Sequence, residues 1–85
     1  MSDTEIPADL IALKLEFYTA ERELPTLADD PERWRATHQR MGDLAVAIHR
    51  HPALRALAGP ERLKLDTAAS KAAREQLGAQ ESTGG

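Results

Sequence analysis

Residues 31–50 read PERWRATHQRMGDLAVAIHR, and this stretch decides the fold class. Asp30 is suited to cap a helix, Pro31 to occupy its first position, and Glu32 to interact favourably with the helix dipole. Small, apolar and aromatic side chains then recur at spacings of three and four residues, on one helical face: Trp34, Thr37, His38, Met41, Leu44, Ala45 and Ile48. The pattern predicts an amphipathic helix over residues 31–50.

Gly42 interrupts the middle of this predicted helix. Glycine costs about 1 kcal/mol relative to alanine inside a helix, so the position requires an explanation. It could permit close approach of another backbone, or it could end one helix while Asp43 caps the next. We expect a continuous helix, because the apolar face keeps its phase across the glycine.

The segment before it predicts a first helix over residues 7–24, which Pro25 ends. One apolar row consists of Ile6, Leu10, Leu13, Phe17, Ala20 and Leu24. A second row, formed by Ile11, Leu15 and Tyr18, lies roughly 130–150° further around the helix. Two rows indicate a helix with two neighbours. The second neighbour is either another helix of this chain or a partner molecule.

The C-terminal part predicts a short helical turn over 52–58 and a third main helix over 60–77. Gly59 closes the short turn, and Gly78 is suited to follow the end of the third helix. The inward face of that helix is mostly alanine, and its members are Leu65, Ala68, Ala69, Ala72 and Gln76. Such a face allows close helix approach but buries little area per residue.

These segments together predict an all-α fold. The three main helices have similar lengths and short connections, which favours a small up-down-up three-helix bundle with a short extra helical turn between the second and third helices. The bundle is expected to form a single helical domain over residues 6–78. Residues 1–5 and 79–85 are small and polar, and we expect them to be disordered.

The composition argues against a metal site. The chain of 85 residues has no cysteine, which excludes disulfides, thiolate zinc sites and cysteine catalysis. His38 and His49 share a helical face but lie three turns apart, about 16 Å, too far to hold one ion. We therefore expect no metal and no cofactor.

A nucleophilic enzyme is equally unsupported. Such a site needs a serine or threonine beside a base and an orienting carboxylate. The only serines are Ser2, Ser70 and Ser82, and Ser70 has no histidine near it in sequence. We expect no catalytic activity and no small-molecule substrate. The polar, acidic start and the lack of a long apolar stretch lead us to expect a cytoplasmic protein that does not associate with membranes.

Charge is distributed unevenly along the chain. Residues 1–32 carry nine acidic and two basic side chains, whereas residues 33–66 carry seven basic and three acidic ones. One interpretation is a nucleic-acid-associated regulator whose basic second helix contacts phosphates through Arg35, Arg40, Arg50 and Arg55, with a helix-turn-helix centred on Gly42. The other is that the acidic first helix lies beside the basic second helix and neutralises it, which we favour.

The leading functional hypothesis is a helical protein–protein interaction module, such as an accessory or regulatory subunit or a homodimer. It depends on the second apolar row of the first helix. The candidate contact residues are Ile11, Leu15, Tyr18 and Arg22.

Overall fold

The structure, a computed structural model, describes residues 5–84, with side chains through residue 80. Four α-helices and one 3₁₀ turn make up this part of the chain, and no strand occurs in it: α1 (Ala8–Glu23), η1 (Leu24–Leu27), α2 (Pro31–His49), α3 (Pro52–Arg55) and α4 (Gly59–Gly84). The all-α prediction is confirmed. The predicted disorder of residues 1–4 and of Gly85 lies outside the described residues.

Helix α1 occupies the centre of the fold, between α2 on one side and α4 on the other, while α2 and α4 hardly touch each other. Lys14 of α1 contacts Asp66 of α4, and Tyr18 contacts Arg74. Because the residue numbers rise together on both helices, α4 runs parallel to α1. Helix α2 runs the opposite way. The order is therefore up-down-up, and the arrangement is flattened, with extents of 46 × 30 × 17 Å.

Helix α2 begins where the sequence predicted and is continuous, as the sequence also predicted. The backbone N–H of Arg33 donates to Oδ1 of Asp30 at 3.2 Å, which is the predicted N-cap. The helix continues without a break through Gly42, as expected. A Cβ built at Gly42 would meet nothing within 4 Å, so no neighbouring backbone requires the glycine. A helix-turn-helix centred on Gly42 does not form.

The open surroundings of Gly42 lead to a stability prediction. Gly42→Ala is expected to raise the free energy of unfolding by about 1 kcal/mol, because alanine loses less backbone entropy in a helix. Thermal denaturation followed by circular dichroism should show a rise in Tm of roughly 4–8 °C. Gly59→Ala is the contrasting variant, since Gly59 has a φ of 60° that strains any side chain, and its Tm should fall. An unchanged or lower Tm for Gly42→Ala would contradict the prediction.

The end of α4 differs from the prediction. The sequence predicted that this helix ends before Gly78 and that residues 79–85 are disordered, but the helix continues to Gly84. Gly78 does not adopt the left-handed conformation of a helix-ending glycine; Gly59 alone among the described residues has a positive φ. Ala79 and Gln80 follow as good helix formers, and no proline stops the helix.

Two other boundaries are shorter than predicted. Helix α1 ends at Glu23, and Pro25 lies inside the 3₁₀ turn rather than in an open loop. The short helix extends only over Pro52–Arg55 instead of 52–58. Its last turn is closed by the N–H of Leu57, which donates to the carbonyl of Leu54 at 3.2 Å.

The main hydrophobic core lies at the end of the molecule where α1 and α4 begin and α2 ends. Its members come from three helices, and all are nearly inaccessible to solvent: Leu10, Leu54, Leu65 and Ala69. Half-buried apolar side chains surround them: Ile6, Ile48, Ala53 and Leu57. At the other end the buried side chains are mostly small, such as Ala20 and Ala73. The fold is thus well packed at one end and thin at the other.

The predicted inward face of α2 is wider than the face that is buried. Leu44 is the one fully buried residue of this helix, while Trp34 is 39% exposed. The reason is that α2 packs mainly along α1 and the 3₁₀ turn, and α4 reaches it only near His49, at its C-terminal end.

The buried side chain of His51 contacts two helices at the core end of the molecule. Its Nδ1 accepts a hydrogen bond from the N–H of Ala53 at 3.1 Å and so caps α3. Nε2 on the other side of the ring lies 3.0 Å from Oδ1 of Asp9, without the alignment of a good hydrogen bond. Contact with His51 lowers the pKa of Asp9 below its ordinary value. The buried imidazole thereby connects the start of α1 to α3.

Candidate interaction surface

A groove opens on one side of the molecule because α2 and α4 do not meet. Helix α1 forms its floor, and its volume is about 330 Å³. Its lining is partly apolar and partly charged: Lys14, Phe17, Tyr18, Ala45, Ile48, His49, Arg62 and Asp66. The groove is an unfilled space between helices, of the kind that another helix fills in a closed bundle.

An aromatic pair extends this surface along α2. The rings of Trp34 and His38 stack with centroids 5.0 Å apart and an angle of 9° between their planes. Trp34, His38 and Ala45 follow the i, i+4, i+11 spacing, so the pair lies on the same side of α2 as the groove. We call this surface, formed by the groove and the Trp34–His38 pair, the open face.

Two further aromatic rings lie in the floor of the open face. Phe17 and Tyr18 pack edge to face, with centroids 5.9 Å apart and an angle of 79°. The guanidinium of Arg74 lies 5.1 Å from the centre of the Tyr18 ring, within the range of a cation–π interaction. Both rings are half-buried, so each still offers apolar surface to a partner.

A buried lysine fixes α1 against α4 at the edge of the groove. Nζ of Lys14 lies 2.6 Å from Oδ1 of Asp66 and donates to Oγ of Ser70 at 2.9 Å. The lysine side chain is 8% exposed, whereas that of Asp66 is 45% exposed. Lys14, Asp66 and Ser70 together form a polar clasp that joins α1 to α4.

The structure separates the four partner-binding residues predicted from the sequence. Tyr18 lies on the open face, but Leu15 lines a second groove of about 280 Å³ on the opposite side, together with Thr37 and Gln80. Ile11 is half-buried, and Arg22 is exposed outside both grooves. The sequence placed Phe17 and Trp34 on the apolar faces of their helices and did not mark them as candidate contact residues. The spacing of Trp34, His38 and Ala45, which places them on one side of α2, could have indicated that this side forms a surface of its own.

The four arginines of the nucleic-acid interpretation also separate. Nη2 of Arg40 lies 2.5 Å from Oε1 of Glu16, so α1 neutralises this charge, as the favoured interpretation expected. Arg50 and Arg55 come together at the core end of the molecule. Arg35 precedes Arg50 by fifteen residues, about 22 Å along α2. One continuous basic surface does not result.

Arg50 and Arg55 border a recess of about 430 Å³ with two other residues that the sequence did not single out, His49 and Arg62. Arg62 donates from Nη1 to the carbonyl of Leu54 and from Nη2 to the carbonyl of His49, both at 3.1 Å. These bonds place a basic group of α4 against the C-terminal end of α2, where positive charge is favourable.

Within residues 5–84 the structure contains no cluster of three side chains that could hold a metal ion. None of the described helices is long and apolar enough to cross a membrane.

Comparison with known proteins gave no relative: no family model, curated protein or solved structure matched the chain.

Proposed function

We propose that this chain is a small protein–protein interaction module without catalytic activity, and that its open face binds a second copy of itself. The observation that carries the proposal is a half-covered aromatic groove that none of the helices described in residues 5–84 fills. Phe17 and Tyr18 in the groove, and Trp34 beside it on the open face, keep accessible ring surface. Aromatic side chains of this kind dominate the energetics of protein interfaces.

The surface area of the molecule supports a partner of similar size. A compact monomer of 9.3 kDa is expected to expose about 5,000 Å², whereas this chain exposes 5,996 Å². A standard interface buries ~800 Å² on each partner, which a molecule with this much accessible surface can supply. The radius of gyration of 14.5 Å is likewise larger than the roughly 12 Å expected for this length.

Sedimentation velocity of two neighbouring variants tests the proposal. Ala45 is exposed and lines the groove, whereas Val46 is 49% exposed and lines neither groove. The unmodified chain should sediment as a dimer at high micromolar concentration. Ala45→Glu should weaken dimerisation by at least about tenfold, because it replaces a small apolar side chain of the groove by a larger charged one that a partner would have to desolvate.

Val46→Glu is the matched control, since it adds the same charge one residue away. Its dimerisation constant should equal that of the unmodified chain. A monomer at high micromolar concentration would contradict the proposal, and so would equal weakening by the two variants.

A nucleic-acid-associated role is the second candidate, favoured by the meeting of Arg50 and Arg55 in one recess. It has less support than the interaction module, because Glu16 pairs with Arg40 and because Arg35 lies far from the recess.

A further inference from the structure

We infer that the recess lined by His49, Arg50, Arg55 and Arg62 is a binding site for a phosphate-type oxyanion. The recess lies where α2 ends and near the first turn of α4. It adjoins the groove and shares His49 and Arg62 with it, whereas Arg50 and Arg55 line the recess and not the groove. Its lining consists entirely of arginine and histidine side chains.

Arg62 provides a fixed donor group in this recess. Nη1 donates to the carbonyl of Leu54 and Nη2 to the carbonyl of His49, and Nη2 also lies 3.3 Å from Nδ1 of His49; these contacts set the position of the guanidinium plane. A guanidinium has five N–H donors, so others remain for a ligand. Arg50 and Arg55 are exposed and can adjust around an anion that the fixed group orients.

The charges in the recess have no carboxylate partner within the described part of the chain. The ion pairs found there involve Lys14, Arg40 and His51, and none includes Arg50, Arg55 or Arg62. Three like charges around one recess repel each other, although the chain as a whole has a net charge of −3. A bound dianion would offset that repulsion.

The donor geometry favours phosphate over a spherical anion. Guanidinium groups form paired hydrogen bonds with planar or tetrahedral oxyanions, whereas chloride accepts no such fork. The recess volume of about 430 Å³ is sufficient for a phosphate group with a small substituent. The inferred ligand is therefore inorganic phosphate or a phosphate monoester.

NMR titration with inorganic phosphate at constant ionic strength tests this inference. We expect saturable shifts of the backbone amides and arginine side chains of Arg50, Arg55 and Arg62. Arg55→Gln should weaken the affinity by about tenfold or more, the effect of losing one charge-assisted hydrogen bond. Arg35→Gln removes an exposed arginine from the same protein, far from the recess, and should leave the affinity unchanged.

Three further arms decide the outcome. O-Phosphoserine that binds more tightly than inorganic phosphate would assign the ligand to the monoesters, and the reverse order would assign it to free phosphate. Sodium chloride that produces the same shifts would overturn the inference, because it would show general screening. Equal loss of affinity in Arg55→Gln and Arg35→Gln would also overturn it, and so would binding of duplex DNA without binding of either small phosphate.

Discussion

Replacing Leu10 by alanine is expected to remove a large part of the folding free energy. Leu10 is completely buried and lies at the centre of the core cluster with Leu54 and Leu65. A buried leucine-to-alanine change costs about 2–5 kcal/mol, because apolar contacts are lost and a cavity remains. A domain of this length has a total stability of only about 4–13 kcal/mol, so the variant should be partly unfolded at physiological temperature.

Urea denaturation followed by far-UV circular dichroism measures this effect. Leu63→Ala is the matched control, since Leu63 is also on a helix but is 66% exposed. Its stability should remain within about 0.5 kcal/mol of the unmodified chain. If Leu10→Ala had the same midpoint as Leu63→Ala, the assignment of the core to this end of the molecule would be wrong.

The second large effect concerns the clasp between α1 and α4. Asp66→Ala should destabilise the fold by about 1–3 kcal/mol, because it leaves the buried ammonium of Lys14 with Ser70 as its one remaining partner. The loss is smaller than the 3–5 kcal/mol typical of a fully buried pair, because Asp66 is 45% exposed and water can partly replace it. Lys14→Met should change the stability by less than about 1 kcal/mol, since methionine keeps the apolar stem and removes the buried charge.

The double variant distinguishes a charge effect from a packing effect. In the Lys14→Met background, the change Asp66→Ala should cost much less than it does alone, because no buried charge is left without a partner. The four proteins form a double-mutant cycle that urea denaturation can measure. Additive losses in the two single variants would show that the clasp contributes through packing alone.

The core around Leu10 lies apart from the exposed side chains of the open face, whereas Lys14 and Asp66 of the clasp line the edge of the groove. The core that contains Leu10 lies where α1 and α4 begin, and the clasp connects α1 to α4. Ala45 and Trp34, which lie on the surface proposed for self-association, are exposed and do not belong to this core. A variant of the open face can therefore lose its partner while it keeps its fold.

Local signals in the sequence were sufficient to find the helices. The cap at Asp30 and the prolines at positions 31 and 52 act within one turn of the chain, and the structure contains them where the sequence predicted. Gly78 shows the limit of such signals. Glycine permits a helix end without requiring one, and the residues that follow it are compatible with a longer helix.

Periodicity alone could not locate the candidate surface. It showed that α1 has two apolar rows and that α2 has a broad one, but the apolar character of Phe17 or Trp34 is the same in a core and in an interface. Tyr18 was found from the second row of α1, whereas Leu15 of the same row lies on the opposite side of the molecule. The position of each residue depends on where the third helix packs.

The chain by itself thus determined the helical segments, their order and the main core residues, because these depend on contacts within a few residues and on burial of the strongest apolar positions. Tertiary packing decided that α1 lies in the centre, since long-range pairs such as Lys14–Asp66 and Glu16–Arg40 fix α4 and α2 on its two sides. With α1 in the centre, α2 and α4 are separated over most of their length, and the aromatic groove opens between them. The end of α2 then lies beside Arg62, which creates a basic recess from residues that are distant in the sequence.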